Sequence, residues 1–378
     1  MYYITARLPV MYREMSFEDF LNNVDVNTTA RNLKEDATRT WEVEKLSEKA
    51  LDVLSVDNLI SRLQAFNEYY KYLREVNRDE LYTHFKIPKR KGGFRKIDAP
   101  KSELDSALRS LMTILEVDFG ALYHTSAFAY IHNRSTLTAV KKHQFNDSRW
   151  FAKYDLSNFF GSTTLEFVMH MLGMIYPFCE VIKNPKGKAE LEKALDLAFL
   201  NGGLPQGTPL SPMLTNLMMI PIDFKLTKTL RDYKQQQFVY TRYADDFFIS
   251  SKYDFDYRDI ENLLVKTLHS FGAPFKLNIE KTRYGSRNGR NWMLGVMLNQ
   301  DNHITVGYKK KKQFQNSVNQ YVKDKLAGND WDISDVQHLE GMRSYYTMVE
   351  GETIDKIMQF LSNKHGVDIV AMIKNDLK

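Results

Sequence analysis

The sequence predicts an α+β protein, and three observations predict it. No glycine precedes Gly92, and Pro9 and Pro88 are the only prolines before it, a composition permissive for helix. From there to about residue 300, short runs of aromatic and β-branched residues alternate with amphipathic stretches. Beyond Lys309 the periodicity is helical throughout. The expected organisation is a helical extension over 1–80, a mixed body over 81–300 and a helical C-terminal part over 301–378.

Composition narrows the class without naming a function. With 43% apolar and 26% charged residues the chain can bury a substantial core, and wholesale disorder is excluded. The net charge of +5 decides nothing by itself. The 21 Tyr and 23 Phe suit a groove that stacks bases beside Lys and Arg, and equally suit a core. A lone cysteine, Cys179, rules out a disulfide framework and a cysteine-based zinc site. No apolar run reaches membrane-spanning length and no signal-peptide pattern opens the chain, so a reducing cytoplasm is the expected compartment.

In the extension, Val56, Leu59, Leu63, Phe66, Tyr70 and Leu73 form one helical stripe. His84 to Pro100 then reads as two extended pieces around Lys89-Arg-Lys-Gly-Gly93. This is a basic hairpin with a glycine tip, able to close over an anion or simply to solubilise a surface. A helix is expected over 102–117, followed by a connector containing Thr125–Tyr130 and Arg134–Thr136, then a helix through Leu137, Val140 and Lys141. Trp150 to Phe160 begins as a strand expected to end at Asp155, where the chain turns. Thr163-Thr-Leu-Glu166 reads as a capping box for the next helix. Asn184–Lys188 reads as a polar loop before a helix through Leu191 and Leu195. Gly202–Pro212 is a shaped loop feeding a helix that Pro221 is expected to kink or end.

The stretch with most chemistry is Phe238–Ser251. Two short strands flank Ala244-Asp245-Asp246, the pattern of a tight hairpin whose turn carries adjacent carboxylates. Such a pair repels itself unless a cation intervenes, although alone it reads more readily as a solvated turn. Further on, Leu277–Thr282 and Asn291–Leu298 look like sheet-edge and hairpin material. Lys309, Lys310, Lys311 and Lys312 open a helix through Phe314, Val318, Tyr321 and Val322. The macrodipole opposes positive charge there; contact with a polyanion is the expected compensation, and solvated lysines are the alternative.

Taken in order, these stretches resemble a bacterial reverse transcriptase of the retron, group-II-intron-like or defence-associated type. Tyr243-Ala-Asp-Asp246 is similar to the family's signature hairpin, and Asp155 with Phe159-Phe160 to its first catalytic motif. Leu204-Pro-Gln-Gly207 with Ser211-Pro212 resembles the template- and nucleotide-positioning motif, and Lys86–Pro100 the first fingers motif. The resemblance spans about residues 80–350. It implies a right-hand polymerase with fingers, an antiparallel palm sheet and a helical thumb. It implies Asp155, Asp245 and Asp246 as catalytic carboxylates, with Asp155, Leu156 and Asp245 holding two Mg2+ ions, for which Mn2+ can substitute. Lys281 is expected to protonate the leaving pyrophosphate.

Lys89, Arg95, Phe159, Phe160, Gln206 and Gly207 are expected at the nucleotide, with Arg95 on the triphosphate and Phe160 excluding a 2′-hydroxyl. Arg90, Lys91 and the Lys309–Lys312 run are expected on nucleic acid. The implied partners are a structured non-coding RNA as template, dNTPs and a cDNA product, with no membrane and no ribonuclease H domain. Leu339–Glu350 resembles the thumb of defence-associated enzymes. Retron enzymes usually show Asn-Ala-x-x-His before the first catalytic motif, from which Thr138-Ala-Val-Lys-Lys-His143 departs. The resemblance therefore places antiphage defence first and a retron or mobile-element enzyme second. The non-enzymatic alternative is an RNA-binding protein on an inactive polymerase scaffold.

Overall fold

The computed structural model describes residues 56–89, 92–115, 123–289 and 293–377. The expectations for residues 1–55, and for Arg90 and Lys91 on nucleic acid, lie outside the described residues. In chain order the elements begin with α1 (Val56–Tyr69), the strands β1 (Tyr82–Pro88) and β2 (Phe94–Pro100), α2 (Ser102–Leu115) and α3 (Thr136–Phe145). There follow β3 (Trp150–Ser157), the single turn α4 (Phe159–Ser162), α5 (Leu165–Leu172), α6 (Phe178–Lys183), α7 (Pro185–Asp196) and α8 (Leu210–Asp232). The hairpin β4 (Val239–Tyr243) and β5 (Asp246–Ser251) precedes α9 (Tyr257–Ser270), β6 (Lys276–Leu277) and β7 (Arg283–Ser286). The chain closes with β8 (Met297–Leu298), β9 (Ile304–Thr305), α10 (Tyr308–Leu326), α11 (Ile333–His365) and α12 (Ile369–Asp376). The α+β class read from the sequence is the observed one.

Contacts divide the chain into two compact units. The first holds the described residues up to Ser135, with Lys153–Ile249 and Asp256–Thr282. Its centre is a sheet in the order β4-β5-β3-β6, with β6 antiparallel to β3 through Leu156 opposite Leu277. Helix α8 is buried along most of its length and packs against α2, α5, α9 and β4. The stripe Leu59, Ile60, Leu63 and Phe66 seats α1 against α7, α6 and α2. Strands β1 and β2 pair over their full length, Tyr82 opposite Pro100 and Pro88 opposite Phe94, so the basic segment is the expected hairpin.

Several local expectations are corrected. Strand β3 continues two residues beyond Asp155, because Leu156 and Ser157 are paired with β6. The cap of α5 is Thr164, whose side chain accepts from the Phe167 N–H, while Thr163 donates to the Phe159 carbonyl. Asn184 to Lys188 is no loop: Asn184 caps α7 and Pro185 occupies its first position, where a missing N–H costs nothing. Pro221 lies inside α8 without ending it, and its surroundings are fully buried.

The second unit holds Thr136–Ala152, Ser250–Phe255 and the described residues from Arg283 onward. The boundary expected at residue 300 falls inside it. Its core joins α10, α11 and α12 through Phe314, Val318, Tyr321, Val336, Leu339, Ile354, Leu361 and Ile369. Helix α11 breaks its regular geometry at Glu350 (φ −141°, ψ 56°). The Glu350 carboxylate there accepts from the Val306 N–H at 2.7 Å, the Thr305 hydroxyl at 2.8 Å and Lys311 Nζ at 2.8 Å. An acidic group thus sits at the N-terminus of α10, where the macrodipole favours it, and it neutralises one lysine of the run. Lys310 donates to the Gly295 carbonyl. Lys310 and Lys311 are thus half-buried and engaged within the unit, while Lys309 and Lys312 are exposed.

Candidate active site

Every described residue singled out for catalysis or nucleotide binding lies in the first unit. The turn between β4 and β5 is Ala244-Asp245, and Ala244 is left-handed at φ +55°, as tight hairpins matched to strand twist require. The turn rests on a buried ionic floor. Arg242 and Asp223 are both fully buried and paired by three hydrogen bonds of 2.8, 2.9 and 3.1 Å. Tyr240 donates to Asp223 at 2.6 Å, and Arg242 Nη1 donates to Asn216 Oδ1 and to the Ala244 carbonyl, each at 3.2 Å. Burial alone would lower the guanidinium pKa, but the Asp223 carboxylate raises it, so Arg242 stays charged. Sequence reading missed this floor. Arg242 is visible as a charged residue in a β-branched and aromatic strand, but its partner is nineteen residues away on a different element.

The Leu156 N–H donates to the Asp245 carbonyl at 3.1 Å, which sets the end of β3 beside the turn. Asp155 is buried, and its charge reaches both Asp245 and Asp246. Burial pushes the Asp245 carboxyl above its ordinary range, and the Asp155 charge adds to the shift. Asp246 is pushed up to about 6, again chiefly by burial, against the pull of Lys153. Lys153 Nζ lies 2.7 Å from Asp246 Oδ2, and Lys281 Nζ lies 2.8 Å from Asp155 Oδ1. Lys281 is thereby raised, first by that hydrogen bond, and remains fully protonated at neutral pH. Lys153 was not anticipated, although it lies two positions before Asp155 and so on the same strand face.

The shaped loop joins the remaining parts. The Leu204 N–H donates to the Phe160 carbonyl at 3.0 Å, and the Gln206 carbonyl accepts from the Asp98 N–H at 2.8 Å. Two close approaches demand glycine. A Cβ at Gly203 would meet the Gly161 oxygen at 2.2 Å, and one at Gly207 (φ +123°) would meet Ile97 Cγ2 at 2.9 Å. The loop is thus wedged between the turn after β3 and the basic hairpin. Phe160 is half-buried. Phe159 is 2% exposed and packs on Phe275, so its expected place at the nucleotide is corrected to the core. Lys89 and Arg95 are exposed on the hairpin, and Gln206 is half-buried.

The donor set fits hard divalent cations. Asp246 Oδ1 is buried without a partner, and two lysine ammonium groups sit on the carboxylates. Among the described residues no group of three His, Cys, Asp or Glu side chains is placed to hold a metal ion by itself. Leucine offers only a backbone carbonyl, so Leu156 can contribute no more than that oxygen.

Comparison with known proteins decides the family. The model of the reverse transcriptase (RNA-dependent DNA polymerase) family matches residues 87–315, more than half of the chain. The chain belongs to the reverse transcriptase family. The retron Ec83 reverse transcriptase of Escherichia coli is 26% identical over 307 residues, covering 78% of this chain and 89% of that one. The retron Ec73 reverse transcriptase of Escherichia coli is 29% identical over 228 residues, covering 58% and 69% respectively. The telomerase of Candida albicans, solved with a fragment of telomeric RNA, superposes with a TM-score of 0.43 at 13% identity over 78% of this chain and 61% of that one. The assignment does not rest on that last likeness. As a member of that family this reverse transcriptase is an RNA-directed DNA polymerase with an α+β fold, and it is similar to the retron enzymes. The departure at Thr138–His143 did not exclude the retron reading, which now precedes the other subtypes. No helix among the described residues is long and apolar enough to cross a membrane.

Two outcomes follow for this reverse transcriptase. Arg242→Ala leaves Asp223 buried and uncompensated, and is expected to cost about 3–5 kcal/mol in denaturant unfolding. A loss below about 1 kcal/mol would mean that the pair does not hold the turn. Protons compete with a cation for carboxylates whose pKa values are raised. Millimolar MgCl2 is therefore expected to raise the melting temperature at pH 8, with the gain fading as the pH falls through about 6. A gain independent of pH would place the cation elsewhere.

Proposed function

We propose that the chain copies a structured non-coding RNA into cDNA by two-metal nucleotidyl transfer at Asp155, Asp245 and Asp246, using Mg2+, and that it serves antiphage defence. The observation that carries the polymerase site is the hydrogen bond from Leu156 to Asp245, which brings carboxylates ninety positions apart into one electrostatic cluster. Asp155, Asp245 and the Leu156 carbonyl would hold the ions, and Asp246 supports them through Lys153. When bound, the ions would supply activation of the attacking 3′-hydroxyl and charge neutralisation at the leaving pyrophosphate.

The protein's own groups have separable roles. Arg95, exposed on the hairpin, grips the triphosphate, and Gln206 with Gly207 lines the nucleotide between that hairpin and Phe160. Phe160 stacks on the sugar and leaves no room for a 2′-hydroxyl. Lys281 is held protonated beside Asp155, in the state from which it can donate a proton to pyrophosphate. Lys309 and Lys312 contact the nucleic-acid backbone. The defence role rests on the resemblance of Leu339–Glu350 to defence-associated thumbs, and the RNA template on the retron relatives. Sequencing the nucleic acid that copurifies with the protein identifies the template.

Purified protein given a primed RNA and labelled dNTPs is expected to extend the primer, and Asp245→Ala combined with Asp246→Ala to abolish extension. Incorporation that survives both changes removes the catalytic assignment. Phe160→Ala is expected to raise ribonucleotide use relative to deoxynucleotide by about tenfold or more, the loss of one steric contact worth over about 1.4 kcal/mol. An unchanged ratio would place the sugar gate at another residue.

A further inference from the structure

One exposed aromatic beside the carboxylates has no part in the reading above. Tyr130 is 57% exposed and adopts a left-handed backbone at φ +59°, rare for a bulky residue. Backbone strain of this kind persists where the surroundings over-determine it, and it concentrates at functional sites. The surroundings here do so. Arg134 clasps the loop by donating to the carbonyls of His124 at 2.6 Å, Ala127 at 2.7 Å and Tyr123 at 3.2 Å. The Phe128 N–H donates to the Arg242 carbonyl at 2.9 Å, and the Arg242 N–H to the Ser126 carbonyl at 2.6 Å. Asn216 Nδ2 donates to the Ala129 carbonyl at 2.7 Å while its oxygen accepts from Arg242, which itself holds the Ala244 carbonyl. Three hydrogen bonds therefore link Tyr130's neighbour to the Ala244-Asp245 turn. The ring lies within electrostatic reach of Asp245, Tyr243 and Arg95.

We propose that Tyr130 contacts the incoming deoxynucleoside triphosphate, its hydroxyl donating a hydrogen bond to the nucleotide near Asp245 and Arg95. This rests on the polymerase reading, since those two residues would hold the cation and the triphosphate. A rigid loop favours such a contact, because the phenol is presented in place and little freedom is lost when the nucleotide binds.

The test is steady-state extension of a primed RNA by the full chain, with dNTP and primer–template titrated separately. Tyr130→Phe removes only the hydroxyl, and is expected to raise KM for dNTP about three- to tenfold with kcat within about twofold. Tyr130→Asn removes the ring while tolerating the left-handed backbone, and is expected to raise KM for dNTP further without lowering the melting temperature. Unchanged KM for dNTP in both variants overturns the proposal. So does an effect confined to KM for primer–template, which would make Tyr130 a nucleic-acid contact. DNA that stays attached to denatured protein and is lost in Tyr130→Phe also overturns it, because the hydroxyl would then be a primer. A wild-type protein that incorporates nothing fails the polymerase reading first, and this proposal with it.

Discussion

The buried pair of Arg242 and Asp223 is the interaction on which the site depends. Two opposite charges removed from water persist only where their remaining donors and acceptors are satisfied. Here Tyr240, Asn216 and the Ala244 carbonyl satisfy them. The result is one rigid joint between α8, β4, the Ser126–Ala129 segment and the Ala244-Asp245 turn. A turn that carries two adjacent carboxylates, with a third close by, would splay apart under their repulsion if its floor were soft. The floor explains how Ala244 keeps its left-handed backbone without a glycine.

The second constraint is steric. Gly203 lies against Gly161 and Gly207 against Ile97, so the Leu204–Gly207 loop is wedged between the turn after β3 and the basic hairpin. Backbone hydrogen bonds from Leu204 to Phe160 and from Asp98 to Gln206 lock both sides. The turn after β3, the Leu204–Gly207 loop and the basic hairpin thus share one backbone framework. Within that framework Phe159 and Phe160 divide the work. The first anchors the turn in the core beside Phe275, and the second keeps one side open.

Charge is compensated locally in both units, by the same pairing of lysine with carboxylate. In the first, Lys153 and Lys281 sit on Asp246 and Asp155. In the second, Glu350 is drawn out of regular helix geometry to the N-terminus of α10, where it meets two donors from the β9 end and Lys311. A run of four lysines at a helix start therefore carries less outward charge than its letters suggest.

Much of the fold was legible from local pattern. Amphipathic periodicity located α1, α2 and α10, the glycine tip located the β1–β2 hairpin, and β-branched and aromatic residues around Asp245-Asp246 located β4 and β5, because each signal lies within a few residues of the element it specifies. The order of the motifs was enough to point to a family, and with it to the site's carboxylates. Where the signal was local but misread, as at Asn184-Pro185, the cap and first-position rules already contained the answer. What the sequence alone determined is the set of chemical groups and the elements that carry them. Only the tertiary structure decided which groups meet: Arg242 with Asp223, Lys153 with Asp246, Glu350 with Lys311, and Tyr130 beside the turn. Those pairings are fixed by packing between distant segments, and spacing along the chain carries no information about them.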